Sequence, residues 1–167
     1  KRIGDPWEIK SFTQRITGIE FISQRGGSGL IKTEVEWLSD QWMKEGQMVP
    51  YLKEHTSIAI YPQTKNYRRI DFEISLLALE DKLSIGGSED AKGYSGFSVR
   101  MVLPEDVLFL GPDGEVEPQV TQVISPGYVN VTGSMGFAGN NAGVVMLDHP
   151  DNPGYPQRWI LRKEKSM

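Results

Sequence analysis

Asp148 and His149 form the adjacent pair in this sequence that is best suited to proton transfer. They follow the apolar run 143–147 and are followed by prolines at every third position of 150–156. Because proline fixes φ and an extended left-handed chain has three residues per turn, this spacing predicts a stiff segment. A carboxylate and an imidazole held on such a segment could act as general acid and base near neutral pH.

The same pair also permits a structural interpretation. Asp148 could cap the turn and His149 could pack beneath the loop, with Trp159 covering it. An isolated Asp–His pair more often serves structure than catalysis, so catalysis requires other functional side chains to converge on the same cleft.

A second polar cluster lies at 86–100, where a glycine-rich loop leads into an alternating segment. Lys92 and Arg100 are predicted to bind or polarise substrate oxygens, because a cation beside glycines can approach an oxygen closely. Tyr94 adds an aromatic ring. This mixture suits a sugar, whose hydroxyls bind polar groups and whose C–H face stacks on aromatic rings.

These residues support two competing functions. In the leading hypothesis the protein is a sugar-processing enzyme, with Asp148 as the acid/base partner of the histidine and Trp159 stacked on the sugar ring. Hydrolysis of a glycosidic bond would need a second carboxylate, and Glu89 or Asp90 is the candidate. In the alternative, the protein is a carbohydrate-binding or structural domain without catalysis.

The composition excludes several classes of protein. His55 and His149 are the only histidines and there is no cysteine, so we predict no metal site and no cofactor. Eighteen Lys and Arg against 22 Asp and Glu give a net charge of -4 without a basic block, which argues against nucleic acid. Apolar runs such as 142–147 are too short to span a membrane. The compartment stays open between periplasmic or secreted and cytoplasmic.

Alternation of apolar and polar residues predicts an almost entirely β protein. The predicted strands are 30–38, 49–61, 67–79, 97–103, 116–124, 128–131 and 143–147. The second and third are expected to be antiparallel neighbours, the last to be covered on both sides, and 38–44 to form one short helical turn. Many strands separated by turns predict one antiparallel β-sandwich domain over 1–167.

Three segments together resemble the bacterial DUF6807 family, which is sometimes labelled PmoA-like after a methane oxygenase subunit. They are RIDF (69–72), KGYSGFSVR (92–100) and GVVMLDHPDNPGYPQRW (143–159). The resemblance implies a sandwich of the galactose-mutarotase-like kind from bacteria that degrade complex carbohydrate. The oxygenase label implies a membrane metalloenzyme, which this composition does not support.

The chain departs from the family pattern in two places. Members usually carry a histidine pair in an early segment that has no match here, so we expect the later portion of a longer protein that could associate with the missing segment. Ile160 follows Trp159 where members usually have histidine, which weakens any mechanism that needs a second imidazole.

Overall fold

Two compact units make up the chain, and each is described by itself. The computed structural model describes residues 3–6, 8–87, 92, 94 and 96–163, and the units are Lys1–Ser84 and Ile85–Met167. Both contain antiparallel sheets, which confirms the mainly β, antiparallel class. The single sandwich domain and its galactose-mutarotase-like form stay predictions.

The first unit is built around one four-stranded antiparallel sheet. Its strands are β1 (Thr13–Ser23), β2 (Gly29–Leu38), β3 (Met43–Lys44), β4 (Gln47–Met48), β5 (Leu52–Ile60) and β6 (Ile70–Ala78). The sheet order is β1-β2-β5-β6, while β3 and β4 form a separate small hairpin. The predicted strand at 30–38 and the predicted antiparallel pair at 49–61 and 67–79 are therefore confirmed.

The register of this sheet separates an apolar face from a polar face. One cross-strand row consists of Phe21, Ile31, Ile58 and Phe72. The next row, one residue along, places Glu20, Lys32, Ser57 and Glu73 on the opposite face. Since side chains alternate between faces along a strand, the alternating sequence produces this segregation directly.

The apolar face is covered at its centre and exposed at its edge strands. Val35 on β2 is 8% exposed, whereas Ile19 on β1 is 68% and Phe72 on β6 is 47% exposed. Monomeric proteins rarely expose large contiguous apolar patches unless the patch has an interaction role. This face is therefore typical of a surface that packs against another layer.

A β-bulge interrupts β1, and the alternation of the sequence does not predict it. The register shifts between Ile16 and Gly18, so that Thr17 is the extra residue. The Thr17 hydroxyl donates to the carbonyl of Glu34 at 3.3 Å. The bulge keeps Ile16 and Ile19 on one face although they are three residues apart.

The segment 38–44 forms a hairpin, and the predicted helical turn is wrong. Ser39 and Trp42 form an antiparallel bridge, and β3 then pairs with β4. Glu45 and Gly46 join these two strands with φ values of 51° and 78°. Two successive positive φ values are those of the tight turn that suits a two-residue hairpin loop, and this turn fixes the local conformation.

The second unit has shorter strands and a buried core. The strands are β7 (Leu108–Gly111), β8 (Gly114–Glu115), β9 (Val123–Ile124), β10 (Tyr128–Gly133), β11 (Ala142–Leu147) and β12 (Arg158–Trp159). The main sheet has the order β11-β10-β7-β8, and β12 pairs with β9. Buried apolar side chains form its core: Val107, Phe109, Val123, Val129, Val131 and Leu161.

Three predictions for this unit need correction. The segment 97–103 alternates but forms no strand, and 116–124 is a strand only at its end. The strand β11 is not covered on both sides, because every residue in it except Met146 is exposed, Leu147 to 77%. Alternation shows that a segment can be a strand, but only a neighbouring strand in register makes it one.

Candidate functional site

Asp148 closes the loop that follows β11. Its Oδ1 accepts a hydrogen bond from the Asn152 side chain at 2.8 Å, and its Oδ2 accepts one from the Gln157 backbone N–H at 2.9 Å. Its own N–H donates to the carbonyl of Gly127 at 2.7 Å. Both carboxylate oxygens are therefore engaged in holding the proline-rich loop, as in the structural interpretation of this residue.

His149 lies on the surface of the same loop. Its side chain is 72% exposed and its Nδ1 is 3.8 Å from a carboxylate oxygen of Asp151. The same nitrogen accepts a hydrogen bond from the Asp151 backbone N–H at 3.2 Å. The imidazole thus neither packs beneath the loop nor relies on Asp148 for its orientation.

Trp159 anchors the far end of the loop to the core. Its Nε1 donates to the carbonyl of Ser125 at 2.7 Å, and its ring packs against the buried cluster of the second unit. The Ser125 hydroxyl is buried and donates to the carbonyl of Tyr128 at 2.7 Å. These bonds tie β12 to the start of β10, so the described contacts of Trp159 are structural.

The other predicted site residues lie elsewhere in the second unit. Tyr94 is half-buried, and Arg162 donates to its hydroxyl at 3.2 Å and lies 5.3 Å from its ring centre. Lys92 and Arg100 are exposed. Glu89 and Asp90 lie outside the described residues. The hydrogen bonds of Asp148 and Trp159 both involve the segments 125–127 and 157–159, whereas the described hydrogen bond of Tyr94 is to Arg162. The roles assigned to the six residues stay predictions.

An aromatic cleft in the first unit is a better candidate for a binding site. It has a volume of about 330 Å³ and lies at one end of the four-stranded sheet. Its lining combines aromatic rings, an amide, hydroxyls and one guanidinium: Phe21, Ser23, Gln24, Gly27, Ser28, Gly29, Ile60, Tyr61, Pro62 and Arg68. We refer to it as the aromatic cleft.

Gly29 allows Phe21 to lie close to the floor of the aromatic cleft. A Cβ added at Gly29 would come within 2.9 Å of the ring atom Cε2 of Phe21, which is closer than real Cβ contacts. Phe21 is 65% exposed, so its ring contributes accessible apolar surface to the cleft. A side chain at position 29 would displace it.

Tyr61 is held in place beside the cleft by two charged residues. Arg69 lies over its ring, 4.8 Å from the centroid, and its backbone carbonyl accepts the Tyr61 N–H at 3.1 Å. Arg69 donates to the two carboxylate oxygens of Asp71 at 2.8 and 2.6 Å. Hydrogen bonds from Arg69 and then from the Tyr61 hydroxyl lower the pKa of Asp71 below its usual value. This paired arrangement preorganises the ring.

This site could not be predicted from the sequence, because alternation does not specify how the paired strands are aligned. Arg69 and Asp71 belong to one of the segments that resemble DUF6807, and residues two apart on a strand share a face. Their two-residue spacing is therefore a sequence signal for the Arg69–Asp71 pair. The place of Tyr61 opposite Arg69 depends on the register in which β5 pairs with β6, and local sequence specifies that register only weakly.

The second unit also contains a cleft, which is more acidic. It measures about 460 Å³ and is lined by the β7–β8 turn and residues 122–126, with Asp113, Glu115 and Glu117 among its side chains. Among the described residues, no group of three or more His, Cys, Asp and Glu is arranged to hold a metal ion. A search of the same residues found no helix long and apolar enough to cross a membrane.

The chain is thus an antiparallel β protein with an open aromatic cleft in one unit and a tightly held proline-rich loop in the other. It belongs to DUF6807, a family of unknown function, whose model matches residues 4–167. This match confirms the resemblance seen in the sequence. No curated protein and no solved structure matches the chain. That the chain is part of a longer protein stays a prediction.

Proposed function

We propose that this protein binds carbohydrate without transforming it, and that the aromatic cleft of the first unit is the binding site. The observation that supports this most is the held ring of Tyr61, which lines the cleft beside Phe21. Rings with fixed orientation bind the C–H face of a sugar at low entropic cost. The amide and hydroxyls of the lining suit sugar hydroxyls.

The same proposal accounts for the architecture and replaces the enzymatic hypothesis as the better supported one. An acid/base role for Asp148 would require breaking its bonds to Asn152 and Gln157. The exposed apolar face of the first sheet suits a two-layer sandwich, in which such a face packs against a second sheet.

Calorimetric titration with a panel of oligosaccharides tests the proposal, together with an assay for new reducing ends. We expect binding heat for at least one oligosaccharide and no new reducing ends. Tyr61→Ala should weaken binding about tenfold, because stacking contributes about 1 kcal/mol beyond buried area. Tyr61→Phe keeps the ring and should bind nearly as well as the natural chain.

Tyr155→Ala is the matched control. Tyr155 is 40% exposed against 37% for Tyr61, but it lies in the proline-rich loop of the second unit. We expect this variant to bind like the natural chain. A lack of binding to every oligosaccharide would refute the proposal, and turnover that His149→Ala abolishes would restore the enzymatic hypothesis.

A further inference from the structure

We infer that the ligand of the aromatic cleft is an acidic sugar whose carboxylate binds Arg68. This inference rests on the proposed function and specifies its ligand class. Arg68 is the charged residue among those that line the cleft. A guanidinium offers a planar fork of donors that matches a carboxylate, which makes it the natural partner for a uronic acid.

Arg68 and its neighbour Arg69 differ in whether a described carboxylate pairs with the guanidinium. Arg69 is paired with both carboxylate oxygens of Asp71. The described contact of Arg68 is a single 3.4 Å hydrogen bond from Nη2 to the neutral amide oxygen of Gln63. In the described part of the chain Arg68 thus has no carboxylate partner, so its charge is available to a ligand.

The residues around the cleft give this end of the sheet a positive charge. The two segments that line it, 21–29 and 60–68, contain no Asp or Glu, although the chain as a whole carries a net charge of -4. Arg25 and Lys65 lie in these segments in addition to Arg68. Clustered charge of one sign raises the local concentration of ligands of the opposite sign.

The neutral lining of the cleft is also arranged to donate hydrogen bonds. The Ser28 hydroxyl donates to the side-chain oxygen of Gln24 at 3.2 Å, while the backbone N–H of Gln24 donates to the Ser28 carbonyl at 2.9 Å. The Gln24 oxygen accepts the first bond, and its amide NH₂ makes no hydrogen bond within the described residues, so it can donate to a ligand. Together with the guanidinium, it favours a ligand rich in acceptor oxygens.

Binding of an oligogalacturonide compared with its methyl ester tests the inference, since the two ligands differ in carboxylate charge. We expect the acid form to bind the 167-residue chain at least tenfold more tightly at low salt, and added salt to reduce this preference. Arg68→Gln should reduce the preference for the acid to about one, because the acid form loses more affinity than the ester. Arg15→Gln, on the same sheet, is the matched control and should keep the preference.

Each contrary outcome has a distinct meaning. If the ester binds as tightly as the acid, the inference is wrong and the proposed carbohydrate function survives. If neither ligand nor any other oligosaccharide binds, both are wrong. A sulfated oligosaccharide that binds as tightly as the uronate would overturn the assignment of a carboxylate.

Discussion

The two four-stranded sheets of this protein differ in how far they bury their apolar side chains. In the first unit the strands are long and regular, and the edge strands leave Ile19 and Phe72 largely exposed on one face. In the second unit short strands and long loops enclose Phe109 and Val129, which are 3% and 1% exposed. The second unit thus encloses a compact apolar cluster of its own, whereas apolar side chains on the edge strands of the first sheet stay accessible.

Truncating one phenylalanine in each unit is the strongest test of this difference. We expect Phe109→Ala to lower the free energy of unfolding by about 3–5 kcal/mol, because it leaves a cavity in a closed core. Phe72→Ala should cost only about 1 kcal/mol, since the ring is half exposed. Urea denaturation measures both, and equal losses would mean that Phe72 is covered in solution.

The loops of the two units permit a second test with a smaller effect. Asp148→Ala should lower the free energy of unfolding by about 1–2 kcal/mol, because the N–H of Gln157 and the side chain of Asn152 lose their acceptor. Asp148→Asn keeps one acceptor oxygen and should cost less. Thr64 closes the corresponding loop of the first unit by accepting the N–H of Tyr67 at 3.0 Å.

The neutral acceptor at Thr64 should matter less than the carboxylate at Asp148. We therefore expect Thr64→Ala to cost less than Asp148→Ala in the same denaturation experiment. A larger cost for Thr64→Ala would contradict the view that the second unit holds its loop more firmly.

Lowering the pH should have the smallest effect of these changes. It should weaken ligand binding in the aromatic cleft of the first unit. The folded-state pKa of Asp71 is lowered, chiefly by hydrogen bonding to Arg69. Its stabilising contribution is therefore fully present above the unfolded pKa and is lost as the pH falls through the lowered folded value. Affinity for the neutral methyl ester should decline over that acidic range, as calorimetry at several pH values would measure.

Asp71→Asn provides the control for the acid experiment. The substitution removes the titrating group, so the decline in affinity at low pH should disappear. If the decline persists in Asp71→Asn, another group controls the position of Tyr61.

Three of the four long strands of the first unit and two strands of the second, β10 and β11, could be predicted from the sequence, whereas strands without regular alternation could not. β2, β5 and β6 have uninterrupted alternation, so their strands could be expected, as could the pairing of β5 with β6. β1 was not predicted as a strand, because its bulge at Thr17 places apolar residues three apart. This spacing breaks the two-residue period of a regular strand. β7 is a four-residue run without alternation, and such short segments have no distinctive pattern.

In the candidate sites, too, local sequence identifies individual residues but does not predict contacts that depend on strand register or loop path. The sequence marks Asp148 as a candidate acid or base, but its two acceptor bonds depend on the folded path of the loop. The aromatic cleft depends on the approach of Phe21 to Gly29 and of Arg69 to Tyr61. Such approaches follow from strand register, which local sequence specifies only weakly.

The long-range hydrogen bonds of Arg162 affect the rates at which the second unit folds and unfolds. It donates to the Tyr94 hydroxyl, the Gln119 carbonyl and the Val120 carbonyl, which are 68, 43 and 42 residues away in sequence. Contacts across such long loops cost more closure entropy than those of the β7–β8 and β10–β11 pairs, so they are expected to form late. Interactions that form after the transition state mainly slow unfolding. The guanidinium therefore prolongs the lifetime of the folded unit more than it speeds its formation.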